Sequence, residues 1–104
     1  MRTTEMINKA LEVMNGQDWY LSDYQVAEMR DKAYSTMRYF VELVASISDA
    51  KIRKAMRELW TVTYNYMGLS SPMSSPTDIQ TKEYNDRKAE LMAVILPSSF
   101  NMAA

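Results

Sequence analysis

Residues 22–67 read SDYQVAEMRDKAYSTMRYFVELVASISDAKIRKAMRELWTVTYNYM, and the pattern within them decides the fold. Val26, Met29, Ala33, Met37, Phe40, Val44 and Ile47 recur at steps of three and four, and Val41 and Leu43 widen the same face. That spacing is one side of an α-helix. Glu28, Asp31, Lys32, Arg38 and Glu42 fall elsewhere, and no Gly or Pro interrupts. The start is marked as well. Ser22 with Gln25 has the spacing of a capping box, Leu21 and Val26 stand where a hydrophobic staple would close, and Asp23 suits the positive end of the helix dipole.

Ser48-Asp49 breaks this pattern and offers a second cap. Ile52, Ala55, Met56, Leu59, Thr63, Tyr66 and Met67 then form a second stripe, ending at Gly68. The link between the stripes is short, so the two helices, about 22–47 and 50–67, are expected to run antiparallel as a long helical hairpin.

Outward from the hairpin the signals thin. Thr3 or Thr4 caps a short helix of about 4–15, with Met6, Ile7, Ala10, Leu11, Val13 and Met14 on one face. Asn15-Gly16 is its stop, since Gly accepts a left-handed terminus. Residues 17–21 form a connector carrying Trp19 and Tyr20. Leu69 to Ser75 reads as a reversing loop. Ser75 as cap, Pro76 at the first helical position and Asp78 shortly after predict a last helix, about 76–96, with Tyr84, Leu91, Val94 and Ile95 inward. Residues 97–104 are a tail in which Phe100 and Met102 can tuck against the body. The expectation is one all-α domain of four helices over residues 1–104.

Composition narrows the chemistry. The 104 residues include no Cys and no His. Disulfides, thiolate nucleophiles, zinc-thiolate sites and imidazole acid–base catalysis are therefore excluded. Acids at Glu28 and Asp31, and at Glu83, Asp86 and Glu90, have spacings compatible with a metal. However, carboxylate bundle sites pair Glu with His, and Lys82, Arg87 and Lys88 interleave here as in ordinary surface pairs. No cofactor, metal or catalytic residue is expected, and no phosphate loop or dinucleotide fingerprint occurs. The formal net charge of -1 gives no global case for nucleic acid. The first residues lack the basic and apolar regions of a signal peptide. Leu59 to Lys82 is low in charge but contains Asn, Gly, Ser and Pro, so it is no membrane span. A cytoplasmic protein without membrane contact is expected.

Three features remain as candidates for function. Lys51, Arg53, Lys54 and Arg57 crowd the start of the third helix, against its dipole. Arg53, Arg57, Trp60 and Tyr64 fall on one strip beside the apolar face, made of the residue types that dominate interaction hot spots and grip anions. Tyr34, Arg38 and Tyr39 lie on the flanks of the long helix, with Tyr39 on the shoulder opposite Tyr34, and are candidates for self-association. Met6, Met14, Met29, Met37, Met56, Met67 and Met92 mostly fall on inward faces, where Met fills irregular space or forms an adaptable groove, whereas Met73 belongs to the loop. These features point to a non-enzymatic protein–protein interaction module that self-associates: a small adaptor, inhibitor or assembly component with an unidentified protein partner. The alternative is a helical binder of a small anionic ligand such as a nucleotide, through the Arg/Trp/Tyr strip.

Overall fold

A computed structural model describes residues 3–17, 19, 27–69 and 75–96, with the side chains of 3 and 27–30 outside that description. Among these residues four helices form: α1 (Thr3–Asn15), α2 (Ala27–Ala45), α3 (Ala50–Met67) and α4 (Asp78–Ile95). No strand occurs among the described residues, and no helix there is long and apolar enough to cross a membrane. The capping box at Ser22, the Leu21–Val26 staple, the loop with Met73 and the tail with Phe100 and Met102 lie outside the described residues.

The chain divides into two compact units, Met1–Ser48 and Asp49–Ala104. In the first, α1 packs on α2. Ile7, Ala10 and Met14 are buried, at the three- and four-residue steps that place them on one side of α1. On α2 the buried positions are Ala33, Phe40, Leu43 and Val44, followed by Ile47 just past the helix end. Val41 departs from the expected face and is 47% exposed. Val41 lies about 100° around the helix from Phe40 and about 60° from Val44, at the edge of the buried face. Trp19, expected only in a connector, is buried.

In the second unit α3 packs on α4. Ala55, Met56, Leu59 and Thr63 of α3 and Leu91 and Ile95 of α4 are buried. Each large aliphatic side chain removed from water in this way contributes roughly 1.5–3 kcal/mol. Residues 58, 63 and 66 of α3 meet residues 87, 84 and 81 of α4 in reverse order, so the pair is antiparallel. The sequence-predicted hairpin of α2 with α3 spans the boundary between the units; within each unit the packing partner is the flanking helix.

The helix ends correct three expectations. Asp49 caps α3 as expected, its carboxylate accepting from the amides of Lys51 at 2.8 Å and Ile52 at 3.2 Å. The cap of α4 is Thr77, not Ser75, and Pro76 lies before it. Thr77 Oγ1 accepts from the Gln80 amide at 3.1 Å while Gln80 Oε1 accepts from the Thr77 amide at 2.8 Å. This reciprocal pair satisfies two otherwise orphaned donors, which a Ser75 cap would not. Val94, expected inward, is 44% exposed, because burial follows Leu91 and Ile95. Neither Gly has a positive φ, so Gly16 does not end α1 through a left-handed residue. Its amide instead donates to the Glu12 carbonyl at 2.9 Å, continuing the helical pattern for one more step.

Candidate functional site

The basic cluster sits on the first turns of α3, where free amides already concentrate positive potential. Asp49 contributes the one nearby negative charge to those amides. Glu58, the sole acid within α3, pairs with Arg87 of α4. Arg87 also donates to Glu90 at 2.9 Å. That hydrogen bond, with the charges of Glu58 and Glu90, raises the guanidinium above the ordinary arginine value against a smaller opposing desolvation. Lys51, Lys54 and Arg57 form no ion pair among the described residues.

Of the strip, Arg53 and Trp60 are half-buried, while Arg57 and Tyr64 are exposed, Tyr64 at 41%. Each is about one turn from the next, so all four flank the buried Met56 and Leu59. Arg57 also belongs to a second feature. With Lys54, Glu58, Thr61, Val62 and Arg87 it lines an open groove of ≈ 350 Å³ along the α3–α4 face. The Thr61 hydroxyl there donates to the Arg57 carbonyl at 3.1 Å, which leaves its lone pairs, and not its proton, for a ligand. The combined surface is cationic at one end, aromatic at the other, and offers stems and rings for packing.

Beside it runs a polar seam that sequence reasoning missed. The rings of Tyr66 and Tyr84 stack with centroids 4.2 Å apart and planes 2° from parallel. Tyr84 Oη and Thr63 Oγ1 share a hydrogen bond of 3.2 Å, and Tyr66 Oη and Thr81 Oγ1 one of 3.1 Å. Lys88 Nζ lies 5.9 Å from the Tyr84 ring centroid. The signal was Thr63 within an apolar stripe, because a buried hydroxyl requires a partner.

The α2 candidates separate onto two faces. Tyr34 and Arg38 stand together, the guanidinium carbon 6.0 Å from the ring centroid. Tyr39 lies elsewhere, lining a shallow depression with Glu12, Val13, Gly16, Ser35 and Thr36. Among the acids, Asp86 is paired with Lys82 at 2.8 Å, which raises the Lys82 pKa, and Glu90 with Arg87. No group of three acids close enough to hold a metal ion occurs among the described residues. Met14 and Met56 are buried; Met6, Met37, Met67 and Met92 are half-buried. No protein-family model, curated protein sequence or solved structure matches the chain.

Proposed function

We propose that the chain is a non-enzymatic protein–protein interaction module, an adaptor, inhibitor or assembly component, that binds an acidic surface of another protein through α3 and also associates with a second copy. The observation that carries the first part is the charge arrangement on α3. Lys51, Lys54 and Arg57 oppose the helix dipole and form no ion pair among the described residues, while the helix's own acid is committed to Arg87. We read these cations as the complement of an external negative charge. Arg57 and Tyr64 supply the exposed anchors, and half-buried Trp60 supplies apolar area between them.

The test is affinity for a partner captured with the wild-type chain. Arg57→Glu with Tyr64→Ala should weaken it at least tenfold, about 1.4 kcal/mol, with helicity intact. Unchanged affinity would remove the strip as the binding surface.

The groove supports the second reading, a small anionic ligand. Its volume of ≈ 350 Å³ falls in the range of ligand sites, roughly 300–1,000 Å³. Yet it is open, and Arg87 is already engaged by Glu58 and Glu90. The protein partner is therefore the stronger reading. A rise in unfolding midpoint with millimolar nucleotide would reverse that order.

A further inference from the structure

Asp31, Tyr34, Arg38 and Val41 follow one another on α2 at steps of three, four and three, so they form one strip along the helix. All four are exposed, Tyr34 at 58% and Val41 at 47%. Two large apolar side chains thus stand in water on one line, exposed where Phe40 and Val44 are buried. The strip is also charged in a definite order. Neither Asp31 nor Arg38 forms an ion pair among the described residues, and the Arg38 guanidinium lies over the Tyr34 ring. The two charges are two helical turns apart, about 10.5 Å, which is beyond the i, i+4 reach of a pair on one helix.

An acid, an aromatic ring and a base in that order form a self-complementary surface. Turned end for end, the strip presents a base to its own acid and an acid to its own base. We infer that this face of α2 binds a second copy of the chain, antiparallel about a two-fold axis at Tyr34, with Asp31 of each copy opposite Arg38 of the other. A closed two-fold contact uses the same patch on both copies, as this pattern demands. Parallel packing would set Asp31 against Asp31 and Arg38 against Arg38, so charge selects the antiparallel arrangement. The rings of Tyr34 meet at the centre, each already carrying its own Arg38, and Val41 closes the contact at both ends. Tyr39 has no part in it. The strip covers little more than three turns, so the interface lies at the small end of specific contacts, and the dimer is weak and salt-sensitive.

This inference rests on the self-association reading and is independent of the α3 strip. The experiment is sedimentation equilibrium on the full chain at low ionic strength. The wild type should form dimers below about 1 mM. Asp31→Arg alone and Arg38→Asp alone each set like charges opposite one another, and each should weaken dimerisation at least tenfold. An equimolar mixture of the two variants restores both pairs in a heterodimer, and the double variant D31R/R38D restores them in a homodimer; both should recover wild-type dimerisation. All positions are exposed, and unchanged helicity by circular dichroism verifies the fold. A wild-type chain that stays monomeric overturns both this inference and self-association. A dimer that ignores the single reversals, or a mixture that fails to recover, overturns the Asp31–Arg38 register and leaves self-association standing.

Discussion

Thr63 is the buried polar side chain of α3, and its hydroxyl is satisfied by Tyr84 across the helix pair. Tyr84→Phe keeps the ring stacked on Tyr66 but leaves that hydroxyl without its partner. Urea denaturation should show a loss of about 1 kcal/mol. A neutral outcome would mean that Thr63 finds another partner. Asp49→Ala removes the carboxylate that receives two α3 amides, and should cost a further ~1 kcal/mol in the same assay. At this scale the sequence could be read unevenly. Ile7, Ala10, Met14, Phe40, Leu59, Leu91 and Ile95 are inward as their spacing predicts. Val41 and Val94 are apolar yet exposed, and Trp19 is buried without periodic support. A residue on the edge of a stripe is assigned by its neighbours in space, which spacing alone does not name.

At the scale of elements, helix existence and the stop at Asp49 were legible, because strong periodicity and a short polar break carry them. The start of α4 was less so. Ser75 and Thr77 both offer an oxygen, and the choice is made by Gln80, three residues beyond Thr77, which completes the reciprocal cap. Gly16 and Gly68 both stand at helix ends, but Gly16 lacks the left-handed conformation expected of it. Gly68 ends α3 with φ -67 and ψ -15, an ordinary right-handed conformation. A Cβ there would meet the Tyr64 carbonyl at 3.4 Å, a normal contact. Gly68→Ala should therefore stabilise the protein by about 0.4–1 kcal/mol, through the lower entropy of the unfolded chain. Destabilisation in urea would indicate a left-handed terminus instead. Leu59, fully buried on α3, gives the contrasting case: Leu59→Ala should lose roughly 2–5 kcal/mol, since the cavity adds to the lost transfer energy.

Four helices were expected, and four form among the described residues. What spacing did not reveal is how their outer faces are organised. The basic run on α3 could have been neutralised by Glu58, which is near in sequence, but Glu58 reaches Arg87 instead. Likewise Tyr34, Arg38 and Tyr39 are close along the chain, yet Tyr39 faces another depression while Asp31 and Val41 join the first two. The pairing of Glu58 shows only in the assembled helices, whereas the separate azimuth of Tyr39 already follows from its spacing from Tyr34. We assign the chain two faces of different character, one cationic and one self-complementary. The most direct test of the cationic face is a titration of the full chain against a fluorescent, glutamate-rich peptide at low salt, followed by anisotropy. The wild type should bind, more weakly as salt rises, and Lys54→Glu with Arg57→Glu should abolish binding while helicity is unchanged. Equal binding by both proteins, or none by the wild type, would contradict the assignment of α3 as an acid-recognising surface.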